Sequence, residues 1–458
     1  MQAAALIAEF NPFHNGHHYI MEQIKEMTSH APLIVIMSGD FVQRGEPAVF
    51  SKQYRTRMAL NAGADLVIEL PVRFSTGNAG EFAKGAVTVL SQLPCVKWLF
   101  FGSESGNLSL LQSITRKLSA AKQSDHYQSL LKQYLKLGYS YPNARSKAYA
   151  DFYRLSEKEH QDTESALSSP NELLGMEYLK ALTLLSSNIE PIAVRRIQSG
   201  YHDTTLPQNA SVKLCPSATA LRQELTKNTE VPSSQDRSHT PNTTKTYDLP
   251  NNSCSPDTAR SDSSHDSDTV RWENYIPPEN QVCFHEAKET ILTSDALCGY
   301  LSSRLLYLSP SQLSDYLDIN PDIANTIADA AKTPFSSFDE MAKRVKKKNI
   351  TLSRARRALL HIALELKKWE HSDTFPFTES EGLLPIRVLG FRKSSAGLLK
   401  NSKAPIITTG ATINQYLQNH GTLLKESMQA SMLYRNLVFQ AHHHVLSDEY
   451  HSFPVILK

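Results

Sequence analysis

Cysteine is scarce in this chain: five in 458 residues, at positions 95, 215, 254, 283 and 298, with no Cys-x-x-Cys and no paired spacing. That excludes a zinc ribbon and a disulfide framework, and it fits a reducing compartment. Long apolar runs are missing too; none approaches the roughly 20 residues needed to cross a bilayer. Residues 2–8 have neither the basic flank nor the length of a signal peptide, so a cytoplasmic protein is expected. Charge of either sign is barely in excess, with a net charge of +2. Any nucleic-acid footprint must therefore be a local patch. No Gly-x-x-x-x-Gly-Lys-Ser/Thr loop is present, which removes a P-loop phosphate site. What remains is an ordinary globular composition, 40% hydrophobic and 21% charged, and a length that implies two or three domains.

The N-terminus carries the strongest pattern. Residues 3–8 form a wholly apolar run suited to one buried strand, and Ile20, Ile24 and Met27 then recur at helical spacing. Between them lies Glu9-Phe10-Asn11-Pro12-Phe13-His14-Asn15-Gly16-His17-His18, a tight turn with Asn-Pro and a glycine. A strand-turn-helix of this kind aims the free N–H groups of the helix start outward, where they can seat a phosphate. His14 and His17 add donors where charge would grow on a departing pyrophosphate, and Gly16 lets a nucleotide approach the backbone.

Further strands are predicted at 33–37, 65–70 and 98–101, with helices at 52–61 and 80–93 between them. Alternating strands and helices mean right-handed crossovers and a parallel sheet. Ligands of such sheets bind at the carboxyl ends of the strands. Three of these ends hold small or polar residues: the turn at 9–16, Ser38-Gly39-Asp40 and Gly102-Ser103-Glu104. Asp40 reads as a crevice residue, a magnesium ligand or a simple turn aspartate. Residues 108–155 read as helical and polar. Ser169-Pro170 opens a firm helix with Ser169 as its expected N-cap, a short strand follows at 192–194, and Ser217 starts another helix. Residues 227–271 are rich in Ser, Thr, Asn, Asp and Pro, with few aliphatics, and read as a disordered linker or loop. Residues 284–370 are helical by periodicity and contain two basic clusters, 343–348 and 354–357. The expected division is 1–226, an α/β Rossmann-like domain; 227–271, a linker; and 272–458, mainly helical, although short extended runs appear at 386–391 and 404–409.

His14-Asn15-Gly16-His17 resembles the His-x-Gly-His signature of the nucleotidyltransferase superfamily. Five further stretches follow it in order: Met37-Ser38-Gly39-Asp40-Phe41-Val42-Gln43-Arg44-Gly45-Glu46-Pro47, Phe101-Gly102-Ser103-Glu104, Ser169-Pro170-Asn171, Arg196-Ile197…Gly200-Tyr201-His202-Asp203, and Ser217-Ala218-Thr219…Arg222. The last looks like the superfamily's second signature. The series as a whole, with Arg354-Ala355-Arg356-Arg357 and Val388-Leu389-Gly390-Phe391, closely resembles the bacterial tRNA(Met) cytidine acetate ligases over almost the whole chain; only 227–271 fits poorly. The resemblance implies that ATP and acetate form an acetyl-adenylate, with Mg2+ as an expected cofactor, and that the acetyl group passes to the wobble cytidine of elongator tRNA(Met), giving N4-acetylcytidine. It implies an ATP site at Ile7, Phe10, Asn11, His14, Gly16, His17, Gly102, Asn171 and Arg196, with His14 and His17 as the catalytic pair. The expected tRNA contacts are Lys346, Lys347, Lys348, Arg354 and Arg357, because Arg354, Arg357 and His361 share one helical face. Two other functions compete: a small-molecule adenylyl or cytidylyl transferase, and an RNA-binding protein that a nucleotide only regulates.

Overall fold

The computed structural model describes residues 2–196, 217–227, 274–369, 383–420 and 422–458. The expected 227–271 linker and the stretch Ile197 to Asp203 lie outside them, apart from Lys227 at the end of a helix.

Among the described residues eight strands form the central sheet: β1 (Ala3–Ala8), β2 (Leu33–Ser38), β3 (Leu66–Leu70), β4 (Val96–Ser103), β5 (Glu190–Arg195), β6 (Ile386–Arg392), β7 (Ile406–Ile407) and β8 (Val455–Leu457). Their order is β8-β6-β3-β2-β1-β4-β5, with β7 also paired to β6. β1 runs parallel to β2 (Ala4 opposite Leu33) and to β4 (Leu6 opposite Phe100). The chain therefore builds outward from β1 on one side through β2 and β3, then crosses over to β4 on the other. That places a topological switch point at the carboxyl ends of β1 and β4, where doubly wound sheets hold their ligands.

β1 and β2 are nearly continuous apolar runs because both faces of the sheet are covered there. Alternate residues enter two separate clusters: Leu33, Val35 and Met37 of β2 on one face, with Met21 and Ile24 of the helix α1 (Asn15–Met27), and Ile34 and Ile36 on the other, with Phe82 and Val87. Each such buried aliphatic contributes about 1.5–3 kcal/mol.

One edge departs from the expected division. β6 comes from the C-terminal stretch assigned to a separate helical unit, yet it pairs antiparallel with β3, Leu66 opposite Phe391. The sheet is mixed and does not stop at residue 226. The extended run at 386–391 is legible in the sequence, but the partner of a strand cannot be read from local periodicity.

The helical part has its own core, drawn from helices between residues 298 and 363, among them α5 (Leu352–Ala363), and from α6 (Thr422–His442). Phe41 and Val72 of the N-terminal part enter that core, and the Tyr434 hydroxyl donates to Ala48 O at 2.9 Å. Beneath the joint lies a buried ionic cluster at the start of α2 (Lys52–Asn61). Lys52 Nζ contacts Glu69 Oε1 and Glu449 Oε1 at 2.9 Å each and donates to Ser431 Oγ at 2.8 Å. Burial alone would lower the lysine's pKa; Glu449, Glu69 and Asp40 outweigh it and raise it.

Candidate functional site

The turn between β1 and α1 is held from behind. Arg55, fully buried in α2, donates to four carbonyls: Phe50 (2.9 Å), Glu9 (2.7 Å), Ser38 (3.0 Å) and Gly39. One guanidinium thus ties together the carboxyl ends of β1 and β2. Asn11 Oδ1 accepts from Val49 N at 2.8 Å, and the buried Phe10 ring lies 4.8 Å from Phe13 and 5.0 Å from His17. Phe10 and Asn11 brace the turn and do not line the cavity in front of it.

His14 is the N-cap of α1, with its Nδ1 accepting from Gly16 N at 3.0 Å. An acceptor Nδ1 leaves the ring proton on Nε2. The His14 and His17 rings stack with centroids 3.9 Å apart. Burial, then His17, Arg196 and Arg222, hold His14 well below the usual histidine range. Burial and Arg196 push His17 down to about 3. Both are therefore neutral hydrogen-bonding groups at neutral pH rather than cations.

A cavity of about 160 Å³ opens at the switch point, and Ile7, His14, Gly16, His17, Gly102, Asn171 and Arg196 all border it. The structure brings together seven of the nine residues expected to bind ATP, from four separate segments. Gly102, near the end of β4, is closely covered: a Cβ there would stand 3.3 Å from Arg196 Cγ, and the arginine side chain would have to give way. Arg196 is held by its backbone N–H, which donates to Ser103 O at 3.0 Å. Asn171 begins the helix α3 (Pro170–Leu184), and its Nδ2 donates to Glu104 Oε1 at 2.7 Å. The next residue, Glu172, is buried and accepts from Ser103 Oγ (2.9 Å) and Ser105 N (2.8 Å), fixing α3 to the end of β4. Ser169 makes no side-chain cap; its hydroxyl donates back to Ser165 O at 2.8 Å. Tyr19 and Arg195, which belong to no motif of the sequence, also border the cavity. Arg195 is legible only as the neighbour of Arg196; at the end of β5 both residues line the cavity.

Other expected site residues stand elsewhere. Asp40 is buried; its Oδ1 accepts from Lys52 N at 2.8 Å and its Oδ2 from Ser431 Oγ at 2.7 Å. It anchors the helical part rather than bordering the cavity. No group of three or more His, Cys, Asp or Glu that could hold a metal ion occurs among the described residues. Ser217, Thr219 and Arg222, around the helix α4 (Ala218–Lys227), lie behind the turn. Ser217 Oγ accepts from Ala220 N, Thr219 Oγ1 from Arg44 and Arg222, and Arg222 Nη1 donates to Asn11 O at 2.6 Å.

Glu46 links this region to the helical part, contacting Arg222 Nε at 3.4 Å and Arg356 Nη1 at 2.9 Å. Gly45 (φ +80°) lies against α5, where a Cβ would meet Arg357 N at 2.5 Å. Of the expected tRNA contacts, Lys346, Lys347 and Lys348 are exposed in a turn that follows the helix Phe338–Val345, with Lys347 Nζ donating to Thr326 Oγ1 at 2.8 Å. Arg354 is half-buried, and Arg357 pairs with Asp318 at 3.2 Å. The shared basic face fails at His361, which is fully buried with Nδ1 3.0 Å from Leu317 O and Nε2 3.1 Å from Thr76 O.

The chain matches the HIGH Nucleotidyl Transferase family over residues 1–449. A tRNA(Met) cytidine acetate ligase of Halothermothrix orenii is 32% identical, covering 94% of this chain and 93% of that one. The chain belongs to this ligase family. The enzyme of the same name from Lysinibacillus sphaericus is 33% identical over 90% of this chain and 91% of its own. Among solved structures, apo TmcAL of Thermotoga maritima superposes with a TM-score of 0.78 at 28% identity, covering all of both chains. A second form of TmcAL, bound with alpha-thio ATP, gives 0.76 at 26% identity, again over both full chains. Among the described residues no helix is long and apolar enough to cross a membrane.

Proposed function

We propose that this protein activates acetate with ATP and transfers the acetyl group to the wobble cytidine of elongator tRNA(Met). The observation that carries the reading is the convergence of His14, Gly16, His17, Gly102, Asn171 and Arg196 on one cavity at the switch point, in a chain whose relatives along its whole length bear the ligase name.

The chemistry follows from these groups. An acetate oxygen attacks the α-phosphorus of ATP, the bond to the bridging oxygen breaks, and pyrophosphate leaves. The N-terminal amides of α1 and the neutral imidazoles donate hydrogen bonds to the oxygens that gain charge, without a cation's need for desolvation. Arg196 offers a bidentate fork to phosphate oxygens, and Gly102 lets the nucleoside lie against β4. The cytidine amine then attacks the acetyl carbon, AMP departs and the amine loses its proton. Positioning and charge stabilisation suffice for both steps. On this reading Lys346, Lys347 and Lys348, with Arg354, contact the RNA backbone, and ATP is the carrier of any Mg2+.

Two measurements test it. Radiolabelled pyrophosphate must exchange into ATP only when acetate is present. Elongator tRNA(Met) must gain one acetyl group on its wobble cytidine by nucleoside mass spectrometry. Exchange that instead requires a phosphorylated small molecule would overturn the assignment in favour of a nucleotidyl transferase.

A further inference from the structure

The helical lobe between β4 and β5 carries a surface that the nucleotide cavity does not use. Its second helix, Asp125–Lys136, is followed by Gly138 (φ +93°), and the next begins at Tyr141. From 126 to 150 there is no Asp or Glu, while Lys132, Lys136, Arg145 and Lys147 all fall in that span. Every residue from 135 to 143 is exposed, including Leu137 at 66% and Tyr141 at 52%. Lys132 and Lys136 make no ion pair among the described residues. Tyr139 is fixed in place, edge-on to Tyr134 at 5.8 Å and under Lys147 Nζ at 5.2 Å from its ring centre.

Beside the tip opens a cavity of about 510 Å³, lined by Tyr134, Lys147, Asp151, Arg154, Glu157 and His160 among others. His160 Nε2 is buried there without a hydrogen-bond partner. The lobe is tied to the nucleotide site. Arg145 Nη2 donates to Leu167 O at 3.0 Å, and the helix Glu157–Ser168 that holds Leu167 ends just before Asn171.

We infer that the tip at 132–147 and the cavity beside it form a second RNA-binding surface, one that grips a single-stranded loop of the tRNA. The inference rests on the function proposed above. Unpaired cations among exposed rings suit unstacked nucleotides: lysines meet phosphates, and Tyr141 and the free face of Tyr139 stack on bases. The mixed lining of the cavity suits a splayed nucleotide, with Lys147 and Arg154 for phosphate and Asp151 and Glu157 as acceptors for base amines. An acidic or apolar protein partner would satisfy the lysines or the rings, but neither would fill a cavity that offers both.

Two full-length variants test it against elongator tRNA(Met) transcript by filter binding at several salt concentrations. Lys132→Glu with Lys136→Glu is expected to weaken binding at least tenfold at low salt. It should also lower the slope of log K against log salt by about one to two, one condensed-counterion contact per lysine. Tyr141→Ala is expected to weaken binding about fivefold or more with the slope unchanged, because stacking releases no counterions. Both should keep wild-type acetate-dependent pyrophosphate exchange. Should the charge reversal unfold the lobe, Tyr141→Ala decides alone. Wild-type affinity in the variants overturns the surface. A wild type that exchanges pyrophosphate yet neither binds nor acetylates tRNA overturns the proposed substrate, and the surface with it.

Discussion

Asn171 Nδ2 donates to Glu104 Oε1 at 2.7 Å, which leaves Asn171 Oδ1 as the acceptor that side chain can offer a nucleotide. Glu104 Oε2 is buried with no hydrogen-bond partner, so this pair is one-sided and sensitive to charge. Asn171→Asp would set two carboxylates face to face. We expect it to raise the KM for ATP in pyrophosphate exchange by about tenfold or more, the cost of one lost charge-assisted bond. The double variant with Glu104→Gln should recover part of that loss. A KM unchanged in Asn171→Asp would remove Asn171 from the nucleotide site.

His14→Ala and His17→Ala should each cut acetate-dependent exchange by about 10²–10³, as loss of a donor at a developing charge does. Affinity for tRNA should stay within a factor of two or so of wild type. Near-normal turnover in both variants would refute the role given to the imidazoles.

Stability should fall in acid earlier than carboxylate titration alone would make it. His17 is held at about 3, and His14 and His361 are lowered too, against about 6.5 when unfolded. The unfolded chain thus binds more protons below pH 6.5. Stability from these neutral rings is complete above that value and drains away as pH drops towards 3. Each fully buried ring contributes a slope of up to about 1.4 kcal/mol per pH unit in that window. Urea melts at pH 7.5, 6.5 and 5.5 check this, and His17→Asn should flatten the curve. Stability constant to pH 5 would show that the rings are charged or solvated.

Neutralising Lys346 and Lys348 should lower the salt slope of tRNA binding by about one to two and leave pyrophosphate exchange alone. Adding Arg357→Gln should leave that slope unchanged, because its guanidinium already pairs with Asp318, and should lower the melting temperature. An unchanged slope in the lysine variant would take this turn out of the tRNA site.

What could be read in advance depended on how local its cause was. β1 to β4 and α2 are visible as apolar runs and helical spacing. The nucleotide turn is visible because its signature residues, from Glu9 to His18, lie within ten positions of one another. Ser169 has the composition of a cap, yet its hydroxyl turns back to Ser165 because another helix ends there. Asp40 and His361 look like site residues on their own elements. Their partners, Ser431 and Thr76, are 391 and 285 residues distant in sequence, beyond any periodicity. Arg55 and Lys52 sit in the expected helix at 52–61. Only the converging carbonyls and carboxylates explain why both are buried.

The antiparallel pairing of β6 with β3 has a consequence for biosynthesis. Roughly 300 residues separate Leu70 from Ile386, and at about 5–20 residues per second the ribosome needs some 15–60 s to cover them. For that interval β3 is an open edge, a row of unpaired amides and carbonyls of the kind that recruits stray strands. Nascent chains arrested short of residue 386 should therefore be digested by protease within 66–70 or be held by a chaperone. Chains extended past residue 392 and clear of the exit tunnel should resist. Until then β3, beside the cradle of the nucleotide turn, is open to misassembly.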